Sequence, residues 1–275
     1  MIQNILKTAS LWITSLLLMG AFAVYQRSTG PTYPIKGKVE IQNQTVKYKL
    51  IRTHDTGHDA LVKIAVPEGV KANFRFKRFK SHDQWTTQEL FAKDGFITAA
   101  IPHQPAAGKV EYQLALIDGE KAFPLTEEPV VIRFKGSVPG YILIPHIFFM
   151  FFAMVVGIRT TFESIFNRRY PFQLASVTVV LLFIGGLILG PIVQKYAFDA
   201  YWTGWPWGHD LTDNKTIIMF LFWLFAWWKL RQQPSNKTWP IVAAVVMVAV
   251  YLIPHSMLGS EIDHTKNSPQ TEVTQ

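Results

Sequence analysis

The sequence predicts an α+β membrane protein: an apolar N-terminal segment, an extracytoplasmic β-sandwich of immunoglobulin or fibronectin type, and a four-helix transmembrane bundle. Three observations lead there. Nearly half of the 275 residues are hydrophobic (49%), with 9 Trp and 20 Phe, and they are unevenly distributed. Residues 31–138 instead alternate polar and apolar positions in short runs, the period of half-buried strands. From Tyr141 onward four apolar segments succeed one another, each near the length a bilayer demands.

Residues 1–27 hold Lys7 and then the apolar stretch Thr8 to Val24. Ala21-Phe22-Ala23 fits a signal-peptidase site, whereas Leu11 to Tyr25 is just long enough for an uncleaved anchor. Under either reading the chain beyond this segment is exported. Within residues 28–138, about seven short strands are expected, among them Thr45 to Ile51, Leu61 to Val66, Asn73 to Phe79, Gly95 to Ile101, Val110 to Ile117 and Val130 to Phe134. Turn signals such as Pro67-Glu68-Gly69, Lys93-Asp94-Gly95 and Asp118-Gly119 separate them. In Asn73-Phe74-Arg75-Phe76-Lys77, the phenylalanines face one side and the cations the other. The basic side suits solvent, anionic headgroups or an acidic partner. His54 and His58 form a His-x3-His pair that is a weak candidate for a metal, since turns of this composition are common without one.

Residues 139–259 form the membrane region, with expected spans Tyr141–Ile158, Phe172–Val193, Thr216–Leu230 and Trp239–Met257. Arg159, Arg168 and Arg169 separate the first two; Lys229, Arg231 and Lys237 separate the last two. The positive-inside rule puts both basic loops in the cytoplasm of a bacterial cell, with Arg159 a topology anchor. The β domain, the loop 194–215 and the polar tail 260–275 then face the periplasm. The tail's last ten residues are polar and expected to be disordered.

The candidate site lies on that outer face. The loop reads Tyr201-Trp202-Thr203-Gly204-Trp205-Pro206-Trp207-Gly208-His209-Asp210-Leu211-Thr212-Asp213-Asn214-Lys215. Two segments resemble each other, Ile142-Leu143-Ile144-Pro145-His146 and Tyr251-Leu252-Ile253-Pro254-His255, and the topology sets His146 and His255 at similar depth near the outer mouth. His209, His264, Asp210, Asp213, Glu261 and Asp263 join them there. Neutral imidazole is the common ligand of haem iron, copper, iron and zinc, and ionisable groups near membrane depth are functional suspects. A cofactor site of His146, His255, His209, Trp202, Trp205, Trp207 and Asp210 is therefore expected, with His146, His255 and Asp213 as the metal-ligand set. Against this stands the ordinary role of Trp as an interfacial residue, of a helix-end His facing water, and of Asp213 as an N-cap. Lys215 at a helix start opposes the helix dipole and points to an anionic partner.

Trp202-Thr203-Gly204-Trp205-Pro206-Trp207-Gly208-His209-Asp210, succeeded by Lys215-Thr216 and a Trp-rich span, resembles the tryptophan-rich outer loop of haem-handling proteins in cytochrome c biogenesis. The resemblance implies haem b against Trp202, Trp205, Trp207 and Asp210, with His146 and His255 as flanking ligands. It covers about seventeen residues, and it departs from the family pattern in three ways. The aspartate comes three positions after the last Trp instead of directly after it, the spans are fewer, and a β domain is attached.

Three functions are expected from these features. The first is a membrane subunit binding haem or a metal at its outer face, for electron transfer or cofactor handling with an extracytoplasmic protein partner. The second is a non-catalytic accessory or sensor protein whose β-sandwich binds the partner. The third is an outer-leaflet quinone site, with His209 and Asp210 taking protons. The sequence holds no cysteine, which excludes disulfides, thiolate metal sites and covalently attached haem. The net charge of +8 comes with no nucleic-acid motif, and no hydrolase or ATPase motif is present.

Overall fold

The computed structural model describes residues 2–166, 169–254 and 259–265. The chain divides into two compact units, Met1–Pro31 with Val138–Gly259, and Thr32–Ser137 with Ser260–Gln275. The first is helical and the second is built of β-sheets, so the protein is α+β.

The β unit has ten described strands, three more than the alternation alone suggested. They are β1 (Ile35–Ile41), β2 (Gln44–Leu50), β3 (Thr53–Asp55), β4 (Ala60–Ala65), β5 (Lys71–Arg78), β6 (Thr86–Phe91), β7 (Phe96–Ile101), β8 (Lys109–Asp118), β9 (Lys121–Pro124) and β10 (Val130–Lys135). The extra strands are short pieces such as β3 and β9, whose three or four residues carry too little pattern to read. The largest sheet runs β3-β10-β8-β5-β6, with β9 pairing the far half of β8; the β1-β2 hairpin and the antiparallel pair β4-β7 form separate ladders. Most pairs are antiparallel, but β3 lies parallel to β10. Strand β8 alternates strictly, burying Val110, Tyr112, Leu114 and Leu116. These pack with Phe74 of β5, Ile132 and Phe134 of β10, and Val62, Ile64, Ile97 and Ile101 of β4 and β7 in one core. A one-residue slip of β8 would turn that apolar set outward, so burial fixes the register.

The helical unit comprises α1 (Ile2–Thr29), α2 (Gly140–Ile165), α3 (Pro171–Leu182), a π-helical stretch Phe183–Leu189, α4 (Gly190–Phe198), α5 (Leu211–Gln232) and α6 (Thr238–Leu252). Among the described residues, three helices are long and apolar enough to cross a membrane: Ile5–Thr29, Gly140–Ile165 and Pro171–Phe198. Four spans from Tyr141 onward were expected; α5 carries Asp213, Lys215, Lys229 and Arg231 at its two ends, and α6 is apolar but only 15 residues long. The end of the expected span Trp239–Met257 lies outside the described residues.

Helix α1 belongs to this unit. Ser15 and Met19 are buried, Phe22 and Ala23 pack on the shared core, and Gln26 Nε2 donates to Tyr251 O at 2.8 Å. At its other end the Trp12 ring lies 5.5 Å from the Arg159 guanidinium. Helix α1 therefore runs alongside α2 and α6, with its N-terminal half near the end of α2 and its C-terminal half near the end of α6.

Helix α2 is the centre of the unit, buried continuously from Ala153 to Thr160. Gly157 permits this: a Cβ there would come within 2.6 Å of Met247 Cε and 3.0 Å of Trp223 Cζ2. Trp223, fully buried, points its Nε1 at Met247 Sδ, 3.1 Å away. The π stretch has a local cause. Pro191 lacks an N–H and cannot continue the α-helical ladder, and the preceding helix accommodates this by widening. Gly190 N–H accordingly reaches back to Gly185 O.

Candidate functional site

The loop between α4 and α5 is organised by its aspartates. Asp210 is the N-cap of α5: its Oδ1 accepts from Thr212 N–H at 2.8 Å and its Oδ2 from Thr203 Oγ1 at 3.1 Å. The sequence suggested Asp213 for that cap, but Asp213 sits one turn later with only 5% of its surface exposed. Its Oδ2 accepts from Thr203 N–H (2.6 Å), Gly204 N–H (2.9 Å) and Gln194 Nε2 (3.1 Å). Asn214 Oδ1 accepts from Trp205 N–H at 2.7 Å. Thus α5 holds the start of the loop through the side chains of its own first turn. Gly204 lets the backbone approach that closely, since a Cβ would lie 2.5 Å from Asp213 Cβ. Trp207 and Gly208 N–H both donate to Gly204 O, and Trp205–Pro206 is cis.

The indoles divide. Trp202 is half-buried and donates from Nε1 to Trp205 O at 3.0 Å. Trp205 and Trp207 are 68% and 81% exposed, and Tyr201 is exposed beside them. His209 is exposed as well.

Lys215 has the Asp210 carboxylate within electrostatic reach, as its position suggested, but its hydrogen bond goes to a carbonyl. It is buried, and its Nζ donates to Ile253 O at 2.7 Å, just past the end of α6. Those terminal carbonyls have no partner within their own helix, so a donor from a neighbour is stabilising. Lys215 from α5 and Gln26 from α1 therefore cap α6 together.

His146 lies in α2, one residue after an in-helix proline, and it is half-buried. Its Nδ1 is 2.9 Å from Gly185 O. A carbonyl only accepts, so Nδ1 carries the proton and Nε2 keeps the lone pair. The similar Pro-His segments differ in setting, because Pro145 is inside α2 whereas Pro254 comes after α6. His255 lies outside the described residues.

The structure thus brings Asp210, Asp213, Thr203 and Gln194 together, and gives these groups to one another and to the backbone. Among the described residues no three His, Asp or Glu side chains are grouped to hold a metal ion. Asp213 is a loop clamp here, and His146 is the described residue of the expected ligand set whose remaining nitrogen suits a metal. His54 and His58 pack edge to face with centroids 4.7 Å apart, and they too lack a third ligand among the described residues.

Arg159 was not legible from its position in the chain. Expected as an anchor at the membrane surface, it is 1% exposed, and its Nη2 pairs with Glu163 Oε1 at 2.5 Å, one turn on along α2. Trp12 faces its guanidinium, and Thr160 and Ser164 lie buried beside it. The Arg-x3-Glu spacing was the available signal, since residues four apart meet on a helix. The start of the polar tail is also ordered by contacts: Ser260–Thr265 packs on the β unit, with Glu261 reaching Lys80 and Lys109.

Comparison with protein-family models, with curated proteins and with solved structures finds no match to this chain.

Proposed function

We propose that this chain is a non-catalytic accessory protein of the bacterial cytoplasmic membrane, and that its aromatic loop engages a protein partner on the periplasmic side. In this reading the β unit is a two-layer sandwich of immunoglobulin type, and α2 to α6 form the bundle that anchors it. Arg169 in the α2–α3 connection, with Lys229, Arg231 and Lys237 around the α5–α6 turn, supports this orientation by the positive-inside rule. Burial of Arg159 removes one cation from that count and leaves its sign unchanged.

The observation that carries the reading is the use of Asp210 and Asp213. Both carboxylates hold the loop's own hydrogen bonds, which leaves Tyr201, Trp205, Trp207 and His209 as its outward chemistry. Exposed indoles on a braced loop suit recognition: Trp and Tyr dominate interface hot spots, and a preorganised loop loses little entropy on binding. The test is a photo-crosslinking aromatic residue placed at Trp207 in living cells. A discrete protein adduct, lost on Trp205→Ala, is expected. Adducts to lipid alone would make the loop an interfacial belt and end this reading.

His146 supports a second reading, the haem or metal subunit. A ligating imidazole typically donates its other N–H to a carbonyl or carboxylate, as Nδ1 does here to Gly185 O. Haem b, copper, iron or zinc would then bind at Nε2, for electron transfer or cofactor handling. A reduced-minus-oxidised haem band, or stoichiometric metal, that disappears in His146→Ala would establish it. An empty spectrum without metal would remove it.

A further inference from the structure

Ser260–Thr265 lies along the β unit as an extended strap. Ile262 N–H donates to Ala107 O at 3.4 Å and His264 N–H to Lys80 O at 3.0 Å, so alternate residues pair with the unit's backbone. Between them the Glu261 carboxylate joins two lysines of separate origin. One oxygen meets Lys80 Nζ, in the turn after β5, and the other meets Lys109 Nζ at 2.5 Å, at the start of β8. Arg133 Nη2 donates to Ser260 O. Arg78 Nη1 stands 3.5 Å from His264 Nδ1. Beside the strap opens a cleft of about 340 Å³, lined by Phe76, Lys77, Arg78, Asp83, Gln104 and Val110.

The groove's chemistry defines what fits it. Ala107 O and Lys80 O accept only from N–H donors placed two residues apart, which an extended peptide supplies and a phospholipid headgroup does not. Lys80 and Lys109 select a carboxylate between those two positions through charge-assisted hydrogen bonds. None of residues 260–264 is fully buried, so the strap lacks the apolar anchor that would make it permanent.

We propose that this basic groove is a receptor for extended acidic segments: the chain's own strap is its resident occupant, and a partner protein presenting a glutamate in an extended stretch exchanges with it. The surface belongs to the β unit alone and stands whether or not the aromatic loop binds a partner.

The experiment uses the full-length protein in detergent micelles and a fluorescein-labelled peptide, Ser-Glu-Ile-Asp-His-Thr, monitored by anisotropy. Glu261→Gln loosens the resident strap without touching the groove. It is expected to raise peptide affinity roughly tenfold or more, which corresponds to about 1.4 kcal/mol. Lys80→Ala, at an exposed side chain, should cut binding in that background, and high salt should weaken it. Binding equal in the unmodified and Glu261→Gln proteins, or insensitive to Lys80→Ala, overturns the proposal. So does an absence of peptide binding alongside Lys80-dependent capture of phosphatidylglycerol vesicles, which would make the groove a lipid site. Trp205→Ala should leave the peptide affinity unchanged, so failure of the groove and failure of the loop reading remain distinguishable.

Discussion

Replacing Asp213 with alanine tests whether the α4–α5 loop is braced by its aspartates. The substitution removes the acceptor of two backbone N–H groups, Thr203 at 2.6 Å and Gly204 at 2.9 Å, and of Gln194 Nε2. A hydrogen bond to a charged group contributes about 1.5–3 kcal/mol, and a buried donor left alone costs about as much. Thr203 is half-buried, so its N–H can find water; Gly204 is buried, so its N–H cannot. Relief of the desolvation of Asp213 itself opposes part of the loss. A value inside that range, about 2 kcal/mol, is therefore expected, and it shifts the loop's opening equilibrium roughly 30-fold. Hydrogen exchange of the peptide covering 200–215 reads that shift directly, with β8 amides as the unaffected reference. Asp213→Asn keeps an acceptor oxygen and should fall between. Unchanged protection of the Thr203 and Gly204 amides in Asp213→Ala would refute the bracing argument, and with it the preorganised aromatic surface.

Two other parts of the molecule make equally direct predictions. Removing Glu163 takes the carboxylate away from the buried Arg159 guanidinium, so Glu163→Gln should cost about 3–5 kcal/mol, whereas Arg159→Met with Glu163→Leu should cost much less; thermal unfolding in detergent decides this, and a double variant no more stable than Glu163→Gln would mean the pair is not coupled. In the β unit, paired hydrogen bonds from Arg78 hold the Asp83 carboxyl down to about 2, below its ordinary 3.8. A depressed carboxyl stabilises the fold above its unfolded value and loses that contribution as pH falls from about 4 towards 2, so Asp83→Asn should flatten acid unfolding in that window.

The β core was legible because period two survives in long strands: Val110, Tyr112, Leu114 and Leu116 announce the buried side of β8. The three-residue β3 was not, because its place is given by parallel pairing with β10, some eighty residues away in the chain. The loop's density of Trp, Asp and His set it apart in the sequence. The roles of its residues were not readable, because Asp213 takes its partners from Thr203, Gly204 and Gln194, about nine to nineteen positions earlier, and no local spacing encodes such a clamp.

Apolar runs and alternation determined by themselves an α+β chain with helices apolar enough to cross a membrane and a β unit between them in the sequence. These are properties of segments, and the solvent each segment tolerates is set by its own composition. Only the tertiary structure decided that Arg159 is interior, that Lys215 caps α6, that Asp210 and Asp213 brace the loop, and that residues 260–265 lie in a basic groove. Each of those depends on which distant group comes within hydrogen-bonding distance, and for an ionisable side chain that neighbour decides whether it serves as anchor, ligand or brace.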